Sequence, residues 1–353
     1  MKRDPASLLV TALAVASLSV AALSGRPGVG SNIAGRPRGS SAETAGHGAA
    51  TPSEIPARGW WAITKRVAAN VSEDRVLTEA AAVTFYALLA LFPALAALVS
   101  IYGLFANPAT ISDELTALSG VVPGGGMHII TDQVHSLASK GGTALGFAAV
   151  LGLATSLWSA NQGTKALFGA LNVVYEEKEK RGFVRLTAVT LACTLGGIVF
   201  VLVAMAAVVA VPIVLAFVGL GGVADVLLRL LRWPLLLVGL GLLLACIYRI
   251  GPSREHARWR WITWGSGLAA VTWIIVSIAF SWYVSRFGSY DKTYGSLGAA
   301  IGFMTWIWLS AAVVLVGAEV NAEMEHQTAR DTTTGPERSS GTRGATKADA
   351  VAA

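Results

Sequence analysis

Few residues in this chain have types and spacing that could do chemistry. His128, Asp132 and His135 recur at offsets of four and seven. They share one side of an amphipathic stretch, Met127 to Ser139, whose other side carries Ile130, Val134 and Leu137. Two imidazoles and a carboxylate in that pattern are divalent-metal ligands by type. A solvated helix face produces the same pattern, and there is no identifiable fourth ligand, so no metal is expected. The other histidines, His47, His256 and His326, form no His-x-His pair, which argues against a metal-dependent nuclease. No Gly-x-x-x-x-Gly-Lys-Ser/Thr loop occurs, and Gly124-Gly125-Gly126 reads as a plain turn. The residues point to no enzyme and no cofactor.

A second grouping is polar side chains inside apolar segments, where an unpaired ionisable group is expensive. Asn161, Lys165 and Asn172 fall near one face of their segment, and Glu319 and Asn321 sit near the end of another. Asn161, Lys165, Glu319 and Asn321 form the candidate functional cluster. Lys165 would pair with Glu319 as a gate or a structural clamp; alternatively Lys165 snorkels alone and Glu319 faces water. A third grouping interleaves Arg254, Arg258 and Arg260 with Trp259, Trp261 and Trp264. Nucleic acid could use such a patch, but a membrane interface belt uses the same residues and fits an apolar chain better, so no nucleic-acid partner is expected.

The elements that must position these residues are membrane helices. Of 353 residues 54% are hydrophobic and 14% charged, with mean hydropathy +0.59, which is too apolar for an ordinary soluble protein. Cys193 and Cys246 lie inside apolar runs, so no disulfide framework is read. The apolar run Leu297 to Ala318 covers roughly 30 Å at about 1.5 Å per residue, the thickness of a bilayer core. Within it Gly298 and Gly302 form a small-xxx-small pair that would admit another helix. Five more spans precede it: Thr78 to Phe105 with a kink expected at Pro93, Thr143 to Val174, the oversized Val184 to Gly219, Leu235 to Ile250, and about Trp261 to Tyr283. Gly219 to Pro234 reads as a turn with a short amphipathic piece around Leu227 to Leu231, and the span after it is allowed to begin before Leu235. Trp60 to Arg75 reads as an interfacial helix with both tryptophans at headgroup depth.

The expected fold is therefore all-α: a polytopic membrane helix bundle of six transmembrane helices, with a weak extra segment at the N-terminus. Residues 1–57 hold an apolar run, Ser7 to Ser24, and a Gly/Pro/Ser-rich linker. That run is an extra span, an uninserted tail or the product of a start codon assigned too early, and the linker is expected to be disordered. Residues 58–325 are the membrane domain, and 326–353 a disordered cytoplasmic tail. With both ends of the domain cytoplasmic, twelve lysines and arginines near the membrane lie inside and five outside, as the positive-inside rule requires.

Ala80-Ala-Ala-Val-Thr-Phe-Tyr86, Leu91-Phe92-Pro93, Leu171-Asn172 with Tyr175, Tyr248 with Pro252, Tyr294-Gly295, and Gly317-Ala318-Glu319 with Asn321-Ala322 succeed one another in order over roughly residues 58 to 325. In these pieces the chain resembles the YihY/BrkB family of bacterial inner-membrane proteins, once labelled ribonuclease BN. The resemblance implies a six-helix inner-membrane protein associated by name with virulence and envelope function. The first 57 residues depart from the family pattern. Two functions are expected on this basis: a transporter or flippase for a lipid or other envelope component, or a non-transporting envelope assembly scaffold in which the polar residues lock the bundle. Membrane lipids are the expected partners, and a homo-oligomer is left open.

Overall fold

The computed structural model describes residues 46–105, 142–218, 223–287 and 296–352. The His128, Asp132 and His135 stretch, the Gly124–Gly126 turn and the apolar run at 7–24 lie outside them. Among the described residues a 3-10 turn, Pro52–Glu54, precedes α1 (Ala57–Glu73), α2 (Val76–Phe105), α3 (Gly142–Val174), α4 (Phe183–Val218), α5 (Val223–Ile250), α6 (Trp259–Phe287), α7 (Ser296–Gln327) and the short α8 (Thr346–Asp349). Helices α2 to α7 have 28 to 36 residues each, about 42 to 54 Å. This is a helical membrane bundle. Four stretches among the described residues are long and apolar enough to cross a membrane: Phe183–Ala204, Trp233–Ile250, Trp259–Arg286 and Ala300–Gln327, with a shorter apolar helix at Val76–Ala90. Phe147, Val184, Leu235 and Ile278 are 62–79% exposed, apolar surface on a scale that lipid covers and water would not tolerate.

Two local expectations need correction. The turn expected across Gly219–Pro234 does not hold from Val223 onward, because α5 begins there and runs through Pro234 as an interior residue. A proline removes one backbone donor, whereas unwinding the helix beside lipid would orphan several backbone groups at once. α1 also differs: Trp60, Ile63, Val67 and Val71 form a buried stripe, and only Trp61 of the tryptophan pair is exposed. The Trp60 ring instead packs on Trp264, 5.9 Å between centroids, so burial against protein outweighs the headgroup preference of an indole.

The described residues form two compact units, 46–79 with 167–275 and 312–352, and 80–166 with 276–311. In the first unit the tail is folded, contrary to the expectation of disorder for residues 326–353. Thr333 bridges antiparallel to Ala257, Arg258 N–H donates to Thr332 O at 2.8 Å and Thr334 N–H to His256 O at 2.8 Å. Arg343, itself buried, donates to the carbonyls of Ala329 and Ala348. The described part of the N-terminal linker joins in, with Thr328 Oγ1 donating to Ala49 O at 2.7 Å and Ala329 N–H to His47 O at 2.8 Å. A segment this polar cannot build a core by itself. It orders because the loops of the bundle supply partners for its backbone and charges.

In the second unit α2 meets α3, where Gly163 faces Tyr86 and the Ser156 hydroxyl donates to Ala90 O at 3.4 Å. Trp306 Nε1 on α7 donates to Ser277 Oγ on α6 at 3.3 Å.

Candidate functional site

The first unit carries a buried charged network at the end of α7. The last turns of that helix present Glu319, Glu323 and Glu325, all with essentially no exposure. Unpaired carboxylates there would cost several kcal/mol each, so each needs an account. Glu325 accepts both arms of Arg254, at 2.8 and 2.7 Å, plus the Thr332 hydroxyl at 2.9 Å. The Arg254 guanidinium lies 4.2 Å from the centroid of the buried Tyr175 ring. Glu323 accepts from Arg66 Nε, from Asn70 Nδ2 at 3.0 Å and from Lys347 Nζ at 2.9 Å. Lys347, on the folded tail, also reaches Glu176 at 2.8 Å. Four segments far apart in sequence thus meet on one acidic helix end.

The chain turns sharply to bring the partners in. α3 closes with Glu176 at φ +55°, with Glu177 N–H donating to Asn172 O at 2.7 Å and Glu176 N–H to Val173 O at 2.9 Å, a Schellman-type end built without glycine. Asn172 then ties the loop after α3 to the turn after α5: its Oδ1 accepts from Ser253 N–H at 2.7 Å and its Nδ2 donates to Glu179 at 3.1 Å. The forked Arg181 beside Glu179 holds that carboxyl down to about 2.

Glu319 is different. Both its oxygens lack a hydrogen-bond partner among the described residues, and the Asp74 carboxyl stands beside it. Burial pushes the Asp74 carboxyl above its ordinary range. Two residues on, Asn321 Oδ1 accepts from Gly265 N–H on α6 at 2.9 Å, while its Nδ2 finds no partner among the described residues. Replacing Glu319 and Glu323 by glutamine should therefore have opposite consequences. Glu319→Gln is expected to leave thermal stability unchanged or raised, since an amide in place of the carboxyl has N–H donors to offer the Asp74 carboxyl beside it. Glu323→Gln strips the counter-charge from Arg66 and one of two from Lys347 and should cost about 1.5–3 kcal/mol. Melting of both variants in detergent checks this; a larger loss for Glu319→Gln would refute it.

Asn161 and Lys165 belong to the second unit. Asn161 is buried, with Oδ1 unpartnered among the described residues. Lys165 Nζ stands 5.8 Å from the centroid of the Trp158 ring. The four cluster residues therefore divide between units, two in each. The second unit also holds a groove of about 450 Å³ lined by Ser277, Ile278, Ser281, Trp282 and Ser285. Its serines recur at every fourth position, one line along α6. Among the described residues no three His, Cys, Asp or Glu side chains gather as a metal site would need.

Arg254, Glu325, Glu323, Lys347 and Arg66 go unnoticed as a site in the sequence, because Arg66 is weighed as a topology signal, Arg254 as a topology signal and part of an interface belt, and Lys347 as part of a disordered tail. The available clue is Glu319, Glu323 and Glu325 on the last turns of an apolar helix, an arrangement that demands cations from elsewhere in the chain.

A family model described as Virulence factor BrkB matches residues 67–342, most of the chain. The chain belongs to this family. The BrkB match extends past the last long helix into the folded tail, including the Thr332–Thr334 segment that pairs with the backbone around Ala257. The ribonuclease-like protein YfkH of Bacillus subtilis is 29% identical over 69% of this chain and 88% of its own length. A UPF0761 membrane protein of Vibrio cholerae is 30% identical over 73% of this chain and 86% of its own. Another, of Pseudoalteromonas translucida, is 25% identical over 78% and 88%. No solved structure matches. The named relatives and the apolar helices make this BrkB-family chain a membrane protein.

Proposed function

We propose that this protein moves an amphipathic envelope component, a lipid in the first instance, across the bacterial inner membrane, with its arginine-rich end and both ends of the helical domain on the cytoplasmic side. The observation that carries the reading is the serine groove. It starts at Ser285, next to Arg286 at the end of the Trp259–Arg286 stretch, and reaches Ser277 about 12 Å further in, near the middle of a bilayer core. Hydroxyls on one line and Ile278 and Trp282 beside them suit a headgroup sliding along the helix while its chains stay in lipid. The excess of basic residues at the opposite end supports the orientation.

Reconstitution into vesicles with fluorescent phospholipid tests it. The wild type should accelerate loss of inner-leaflet protection from a membrane-impermeant quencher, and Ser281→Leu with Ser285→Leu, both exposed, should slow that several-fold without lowering the melting temperature. Vesicles no faster than protein-free controls would sink the reading. A non-transporting scaffold is the second reading, and the buried ion pairs that lock α1, α3, α7 and the tail favour it. Nuclease chemistry, which the name of the Bacillus subtilis relative suggests, has no catalytic grouping among the described residues to support it.

A further inference from the structure

At the start of α4, fixed positive charge meets apolar surface. A cavity of about 480 Å³ opens between the loop after α3, the first turn of α4 and the turn after α5, lined by Lys180, Arg181, Arg185, Arg254, Glu255 and His256 among others. Its volume falls within the roughly 300–1,000 Å³ of small-ligand sites. Two of its guanidinium groups are committed: Arg181 to Glu179 and to the carbonyls of Ile250 and Gly251, Arg254 to Glu325. Its one carboxylate, Glu255, is 3.7 Å from Arg338. The cations that remain are Arg185, exposed, and Lys180, which is 58% exposed and gives one of its three donors to Glu177 at 2.9 Å. The first turn of α4 contains no acidic residue, so its free N–H groups add to the positive potential. On that same turn Phe183 and Val184 are 73% and 79% exposed, at the start of a stretch apolar enough to cross a membrane. A soluble anion would use only the cations. An amphiphile uses both halves.

We infer that this cavity binds the phosphate of an anionic phospholipid, Lys180 and Arg185 holding the headgroup and Phe183 and Val184 lying against the acyl chains. The site belongs to the first unit, apart from the serine groove. It requires no lipid movement and stands whether or not the protein transports anything.

The test is lipid binding to the full chain in detergent, read by native mass spectrometry and by melting, with phosphatidylglycerol, phosphatidylcholine and inorganic phosphate as probes. Phosphatidylglycerol should bind at least about tenfold more tightly than phosphatidylcholine, and inorganic phosphate should neither shift melting nor compete. Lys180→Gln and Arg185→Gln should each weaken phosphatidylglycerol about fivefold and together about twenty-five-fold, with Arg185→Gln leaving melting in the absence of lipid unchanged. Arg185→Lys should keep the preference, which separates lost charge from lost fold. Equal binding of the two lipids, a preference untouched by the double substitution, or competition by inorganic phosphate as strong as by phosphatidylglycerol would each overturn the assignment.

Discussion

Arg254→Ala is expected to cost about 3–5 kcal/mol, a large part of the total stability of a typical domain. The arginine and Glu325 are both essentially unexposed, at 2% and 0%, so alanine leaves a carboxylate in the protein interior with only the Thr332 hydroxyl for company. It also uncovers the face of Tyr175. Arg254→Lys should fail in the same direction but less, because an ammonium meets one oxygen where the guanidinium fork meets two. Arg254→Met combined with Glu325→Leu should recover stability past either single change, since an apolar pair of similar volume removes the need for compensation. Thermal melting in detergent reads all of these variants. A single alanine variant melting within a few degrees of wild type would show that the pair is not holding the end of the bundle.

Gly317→Leu is expected to be the most damaging change inside the helices. A Cβ built on Gly317 would lie 2.6 Å from Ala269 Cβ and 2.6 Å from Tyr248 Oη, and Tyr248 is fixed by its bond to Val314 O at 2.6 Å. On the facing helix a Cβ at Gly265 would overlap Asn321. Two glycines and an asparagine thus let α6 and α7 touch backbone to backbone. Overpacking typically costs about 1–3 kcal/mol, and leucine, with three more heavy atoms than the Cβ already excluded, should reach or exceed the top of that range. Gly302→Ala is the control: among the described residues nothing comes within 4 Å of a Cβ at Gly302, so alanine should be neutral or gain up to about 1 kcal/mol from helix propensity. Equal losses at the two positions would refute the crossing as the cause.

That contrast also shows what can be read from one dimension. The helical membrane architecture is visible because apolar length is a local property, present in each segment alone. The same local view selects Gly298 and Gly302 for a close approach, since their spacing is right, while the contact described in the structure uses Gly265 and Gly317, which lie on different helices. Asn321 is legible as a polar group that an apolar helix cannot leave unsatisfied, yet nothing in the sequence points to Gly265 N–H as its partner. The tail is the clearest failure of composition. Lys347 and Arg343 look like solvated charges because their partners, Glu176, Glu323 and the carbonyls of the tail, are invisible without the fold.

The meeting of Ala49 with Thr328 and of Lys347 with Glu323 has a consequence in time. Ribosomes add roughly 5–20 residues per second, so the turn around residue 49 emerges tens of seconds before the residues that complete it. During that interval Glu323 does not yet exist to receive Arg66, and every apolar helix has to enter the membrane before the closing segment is made. The seal forms only once Lys347 has been made. A polypeptide that stops short of Lys347 therefore keeps raw acidic groups at that end, the kind of lesion on which a cell's proteolytic machinery acts.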